Sequence, residues 1–185
     1  MANTVVIFHS KYGHTKVVAK YVADGAQAQL IEIDADGNIQ DGEWQALNDA
    51  DAIIFGSPTY MGNVSWQFKK FSDDSSKIWS SGGWNDKIFG GFTNSASPSG
   101  DKQVSLIAMQ TLASQHGGIW VSLGMPPSNS KAATGNDINN LGGSVGLLTR
   151  SPADASIDEL YKGDLDTAKL YGMRIRTIAK KLLGD

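Results

Sequence analysis

The first fifteen residues constrain this chain most. Thr4-Val5-Val6-Ile7-Phe8 is an uncharged run of β-branched and aromatic residues, the pattern of a strand covered on both faces. It breaks into the polar stretch His9-Ser10-Lys11-Tyr12-Gly13-His14-Thr15. From there the apolar residues Val17, Val18, Tyr21 and Val22 recur at helical spacing. The first N–H groups of a helix lack acceptors within the helix, and its dipole places positive charge there. Ser10, Gly13 and Thr15 therefore lie where an oxyanion is welcome, and the stretch predicts a phosphate seat.

Four further strand-like runs follow: Gln29 to Ile33, closed by Asp36-Gly37; Asp51 to Phe55; Lys87 to Phe92; and Gly118 to Leu123. Helical patterns lie between them. Val64, Phe68 and Phe71 share a face, with Asn63 as expected N-cap. Val104, Ile107, Ala108 and Leu112 mark a helix ending at Gly117-Gly118, and Leu165, Ala168, Gly172, Ile175, Ala179 and Leu182 form the seam of the last one. The alternation βαβαβαβαβα, with crossover units of roughly 30 residues, predicts an α/β chain. It is a three-layer sandwich: a five-stranded parallel sheet of order 2-1-3-4-5 with helices on both faces. The 185 residues suit a single domain. The segment from Gly124 to Ala155 has no regular pattern, which predicts a functional or interface loop. After it, Ser156-Ile157-Asp158-Glu159 reads as a capping box opening a short helical piece.

In such sheets ligands sit beyond the carboxyl ends of the strands. The loops to read are Ser10 to Thr15, Ser57 to Asn63, and Thr93 to Gly100. All three are rich in Gly, Ser, Thr or Pro, and carboxylates are absent up to Ser99. That is a poor metal site and a good seat for a flat ring with a phosphate tail. The absence of cysteine excludes thiolate catalysis and cysteine-ligated clusters. Phosphatase or arsenate-reductase chemistry on this fold needs a cysteine nucleophile and is thereby removed. The net charge of −3 argues against nucleic acid and anionic membranes as partners. It is also mild for a carrier that docks on basic partners. No run is long enough to cross a bilayer. Met1 leads almost directly into the first strand, so no signal peptide is expected, and a cytoplasmic location follows as an expectation. A phosphoacceptor receiver would need an Asp where the third strand ends in Gly56-Ser57. Walker, GxGxxG and GxSxG signatures do not follow the strands that would carry them. What survives elimination is a flavin mononucleotide site.

The loops together resemble one family. Ser10-Lys11-Tyr12-Gly13-His14-Thr15 resembles the phosphate loop of flavodoxin-like proteins. Pro58-Thr59-Tyr60-Met61-Gly62-Asn63-Val64-Ser65 is similar to the PTRFGNMS-type loop of WrbA-like NAD(P)H:quinone oxidoreductases. Lys77-Ile78-Trp79 with Gly82-Gly83 and Lys87 is similar to their GLW…GK stretch, and Leu112-Ala113-Ser114-Gln115-His116-Gly117 to their LAHHG helix end. The resemblance implies a flavodoxin-like fold. It implies that Ser10, Lys11, Tyr12, Gly13, His14 and Thr15 hold the FMN phosphate. Pro58, Thr59, Tyr60 and Met61, with Thr93, Asn94, Ser95, Ala96, Ser97 and Pro98, would wrap the isoalloxazine. Trp79 and His116 would line the substrate side as catalytic residues. The implied activity is two-electron ping-pong hydride transfer from NAD(P)H through FMN to a quinone, by a homo-oligomer, dimer or tetramer. The paired family histidines are here Gln115-His116, and the third loop is poorer in glycine than the family's STGTGGG. A flavodoxin-type one-electron carrier, and a non-enzymatic interaction protein, stay open as alternatives.

Overall fold

The computed structural model describes residues 2–184. Its elements are β1 (Thr4–His9), α1 (His14–Ala26), β2 (Gln29–Ile33), α2 (Asp41–Asp49), β3 (Ala52–Tyr60), β4 (Asn63–Val64), α3 (Trp66–Asp74), α4 (Ser76–Trp79), β5 (Ile88–Ser95), α5 (Lys102–Gln115), β6 (Ile119–Trp120), β7 (Leu147–Arg150) and α6 (Lys162–Leu183). The sheet order β2-β1-β3-β5-β6 is parallel throughout, as the crossover pattern predicts. Alternation along β1 feeds two cores. Val6 and Phe8 pack with α1 and α6 residues such as Val18, Val22, Ala168 and Ile175. Val5 and Ile7 pack on the other face with Leu47, Phe68, Phe71, Leu106 and Met109 from α2, α3 and α5. The α1–α6 crossing is backbone-close. A Cβ on Gly172 would meet the Val22 carbonyl oxygen at 2.1 Å, and one on Gly25 would meet that of Lys169 at 1.9 Å.

The structure corrects several expectations. β3 runs to Tyr60 and β5 to Ser95, so the second and third loops begin later than Ser57 and Thr93. Those hydroxyl residues look like loop because they are polar, yet each finds a buried partner: Ser57 Oγ donates to the Pro58 carbonyl at 2.9 Å and accepts from the Ser65 N–H at 2.9 Å. Thr59 Oγ1 lies 2.7 Å from Thr93 Oγ1 and 2.8 Å from Ser105 Oγ. Beyond Tyr60 the chain turns at Met61-Gly62, both at positive φ, and returns as β4 antiparallel to β3, the geometry of a two-residue type I′ hairpin. Ser65, not Asn63, caps α3, accepting from the Phe68 N–H. Helix α2 carries a capping box between Gln40 and Glu43, a start that the apolar seam alone did not reveal. The Ser156–Glu159 box forms its Ser156 N–H to Glu159 Oε2 bond at 2.7 Å but closes only a turn.

The fifth strand departs most. Gly118–Leu123 supplies only β6, paired with Ile88 and Phe89. The upper half of the same edge is filled by β7, paired with Phe92 through Ser95 and drawn from the segment expected to be irregular. The cause is Tyr171 of α6. Its buried hydroxyl accepts from the Gly91 N–H at 3.2 Å and donates to the Val121 carbonyl at 2.7 Å. The two backbone groups that would continue the ladder are thus satisfied by a side chain, and the chain leaves the sheet at residue 121.

Candidate functional site

Beyond the carboxyl ends of β1, β3, β5 and β7 lies a cavity of ≈ 650 Å³, within the range of about 300–1,000 Å³ typical of cofactor clefts. The β1–α1 turn contributes Ser10, Tyr12, His14 and Thr15; the end of β3 contributes Pro58 and Tyr60; the end of β5 contributes Asn94, Ser95 and Ala96. The stretch after β7 adds Ser151, Pro152, Ala153 and Ala155. Nine residues expected from the sequence are therefore brought together, by three loops far apart in the chain.

The turn after β1 is built to present donors. Gly13 caps α1 at φ +90°, a left-handed conformation that costs glycine little. A Cβ there would also press on Ile157 at 2.9 Å. Ser10 Oγ accepts from the Lys16 N–H at 3.1 Å, which leaves its own O–H free to donate. Thr15 is buried against the cavity wall. The N–H groups of residues 11–15 find no acceptor among the described residues, as expected at a helix start. His14 donates from Nε2 to the Ala155 carbonyl at 2.9 Å, tying this turn to the stretch after β7. No carboxylate lines the cavity among the described residues. Such a set of donors, with no competing anion, fits a phosphate.

The far end of the cavity suits a flat aromatic. Tyr12 and Tyr60 meet edge to face with centroids 6.4 Å apart, and burial, with Tyr12 nearby, pushes the Tyr60 phenol up from its ordinary value. Ser95 Oγ is buried without a partner on the cavity wall, a polar atom awaiting one. Asn94 is held by Ser151 Oγ at 2.7 Å and by Thr149 Oγ1 at 2.9 Å, so its amide is committed to stitching β5 to β7.

The other expected residues lie elsewhere. Lys11 is exposed, its ammonium over the Tyr12 ring at 5.3 Å. Gly13 shapes the turn rather than lining it. Thr59 and Thr93 are buried beneath the floor, and Met61 is fully exposed on the hairpin tip. Ser97 and Pro98 lie past the wall, and Pro98 borders a separate cavity beside the head of α5. Trp79 and His116 lie farthest from this cavity. Helix α5 starts near the cavity and runs 14 residues, about 20 Å, before reaching His116. There the Gly117 carbonyl accepts from the Asp86 N–H, just before β5 begins. His116 is 3% exposed, its Nε2 2.9 Å from Ser75 Oγ and its ring 4.4 Å from that of Trp84. Burial lowers its pKa below the ordinary histidine value. Trp79 is exposed on α4, next to Ser75 at the same end. Neither reaches the cavity of its own chain.

Ser151, Pro152, Ala153 and Ala155 were the residues that sequence reasoning missed. The signal was the length of the segment from Gly124 to Ala155, whose last residues become the wall. Two buried charged residues behind the walls, Lys102 and Asp164, also carried no sequence signal.

The flavodoxin domain model matches residues 5–81. Over 182 residues the chain is 58% identical to flavodoxin FldP of Pseudomonas aeruginosa, covering 98% of this chain and 99% of that one. It is 32% identical over 206 residues to an NAD(P)H dehydrogenase (quinone) of Archaeoglobus fulgidus, covering 98% of this chain and 100% of that one. A crystal structure of the flavodoxin, WrbA-like protein from Agrobacterium tumefaciens superposes with a TM-score of 0.82 at 49% identity, covering 98% and 99% of the two chains. The fold and cavity therefore define a flavodoxin-type α/β protein. More closely, the chain belongs to the flavodoxin family and is WrbA-like. That family implies an FMN cofactor, and the free donors at Ser10–Thr15 and the unpartnered Ser95 hydroxyl fit one. No helix among the described residues is long and apolar enough to cross a membrane.

Proposed function

We propose that the chain is an FMN-dependent electron-transfer protein of the flavodoxin type. Bound FMN would supply reversible redox chemistry, and the protein binds and orients it. The N–H groups and hydroxyls of residues 10–15 would receive the phosphate. Pro58 and Tyr60 would flank one side of the ring, with Asn94, Ser95 and Ala96 along the other. His14, by bonding Ala155, holds the wall after β7 against the phosphate end. What supports the carrier reading is the 58% identity to flavodoxin FldP, together with the position of His116, which packs on Ser75 and Trp84 away from the cavity of its own chain.

A second reading, NAD(P)H:quinone turnover, is favoured by the cavity mouth. Tyr12 and Met61 stand exposed beside Tyr60, leaving access for a planar nicotinamide or quinone, and the Archaeoglobus relative bears that name. One experiment separates the two. Protein loaded with FMN is mixed with NADH or NADPH, with and without benzoquinone, and nucleotide oxidation is followed. The carrier reading expects negligible oxidation and two resolved one-electron potentials on reductive titration. Rapid quinone-dependent oxidation in a ping-pong pattern would instead establish the enzyme.

A further inference from the structure

We propose that Lys102 is a positioning residue for the flavin: its ammonium, buried at the head of α5, holds the Ser95–Asp101 turn in the shape that walls the cavity. The inference rests on the FMN reading above and concerns a residue that does not line the site.

Lys102 is 1% exposed, an unusual place for a lysine. Its Nζ donates to the carbonyl oxygens of Ser97 and Pro98, the two residues just past the wall formed by Asn94, Ser95 and Ala96. The turn around it is tight: Gly100 and Asp101 are both at positive φ, and a Cβ on Gly100 would meet Ser95 Oγ at 2.7 Å. The turn therefore folds back on the unpartnered cavity hydroxyl, and the ammonium pins it from inside. Two charged residues of other elements bear on the ammonium. Asp164, in the first turn of α6, faces it as counter-charge, and Arg150 of β7 faces it as a like charge. Asp164 Oδ2 also accepts from the Arg150 N–H at 2.7 Å, immediately before the second wall, Ser151–Ala155. The Arg150 guanidinium lies 4.1 Å from the Tyr161 ring centroid. Lys102 thus braces the turn behind the first wall, and Asp164 fixes the backbone just before the second.

Burial lowers the Lys102 pKa to about 8, with Asp164 raising and Arg150 lowering it as lesser influences. Asp164, desolvated, is itself raised to about 6. Above about pH 8 the ammonium becomes an amine and its grip on two carbonyls weakens, since bonds to charged groups are the stronger ones. Burial holds His9 below its ordinary value and Tyr60 above its own, so both are moved away from the lysine's range. A phosphate monoester is already ionised above about pH 7. FMN affinity should therefore fall with rising pH through the lysine titration. The stability of the apo-protein should move the other way. The unfolded chain, with the ordinary lysine value of 10.5, binds more protons than the native one between about pH 8 and pH 10.5, so this group's contribution rises with pH.

The test is FMN fluorescence titration of apo-protein from about pH 7 to about pH 9.5 for wild type, Lys102→Met and Asp164→Asn, with thermal unfolding alongside. Wild type should lose roughly ten-fold in affinity across the window. Lys102→Met should bind roughly ten-fold more weakly at the low end, with a flat profile. Asp164→Asn should shift the break to lower pH, because the ammonium has lost its counter-charge. Wild-type affinity and profile in Lys102→Met would overturn the proposal, as would an alkaline fall shared by wild type and that variant. Should Lys102→Met fail to fold, an unmoved break in Asp164→Asn overturns it. Failure of wild type to bind FMN at any pH would remove the cofactor reading itself, and this inference with it.

Discussion

At the carboxyl end of the sheet Ser10, Thr15 and Ser95 face a cavity with hydrogen-bonding capacity to spare. At the amino end Ser75, His116, Trp84 and Asn48 face one another: Ser75 Oγ bonds the imidazole, and the Trp84 indole N–H donates to Asn48 Oδ1 at 2.9 Å. Trp44 and Phe71 stack above them, and Trp84 packs beside both. Both ends mix hydroxyls, aromatics and a histidine. One leaves polar atoms open on a cavity wall; the other packs them into core, where Ser75 and Asn48 each take a partner and His116 Nδ1 is left without one. Residue type alone does not mark a site. What marks it is an unpartnered polar group that also lines a cavity, as Ser95 does and His116 does not.

The contrast can be broken from either side. The largest effect belongs to Trp84→Ala, which should cost about 3–5 kcal/mol of stability in urea unfolding while the remaining native protein binds FMN normally. Weakened binding would mean that the two ends are coupled. Thr15→Ala works in the opposite sense. FMN binding should weaken by about 1–3 kcal/mol in a fluorescence titration with little change in unfolding, and unchanged affinity would remove its hydroxyl from the phosphate seat. His116→Leu should cost about 1 kcal/mol of stability and leave both FMN affinity and any quinone-dependent oxidation as in wild type. It also carries a pH signature. Because burial lowers the His116 pKa, the unfolded chain takes up a proton first as pH falls through the ordinary histidine value of about 6.5. Native stability is lost on that side, and the variant should show a shallower acid slope. Some slope should persist, since His9 is lowered for the same reason. The smallest expected change is in the stability of Ser95→Ala, within about 0.5 kcal/mol, because that oxygen has no partner to lose. A clear stability loss there would show that the hydroxyl serves the fold rather than a ligand.

The sheet was legible because its signals are local. β1 and β2 are uninterrupted apolar or alternating runs, and the crossover spacing leaves few topologies. The phosphate turn was legible for the same reason, since strand, turn and helix start are contiguous. The extension of β3 to Tyr60 was not, because Ser57 and Thr59 draw on Ser65, Thr93 and Ser105, partners supplied by other elements, besides the bond from Ser57 to the Pro58 carbonyl. His116 and Trp79 resemble a family pattern of residues, but the length of α5 carries His116, and α4 carries Trp79, to the end of the sheet opposite the cavity of their own chain. The stretch after β7 escaped because its strand pairs with Phe92–Ser95, far away in the chain, past the point where Tyr171 takes up the Gly91 and Val121 backbone groups.

The sequence by itself determined the parallel α/β order, the helix-start anion seat and the absence of thiol chemistry, because each depends on neighbours in the chain. Tertiary structure alone decided which polar residues stay unpaired, where the fifth strand splits and why a lysine lies buried behind the cavity wall. Those outcomes depend on which groups from distant segments arrive within hydrogen-bonding distance, and no local periodicity records that.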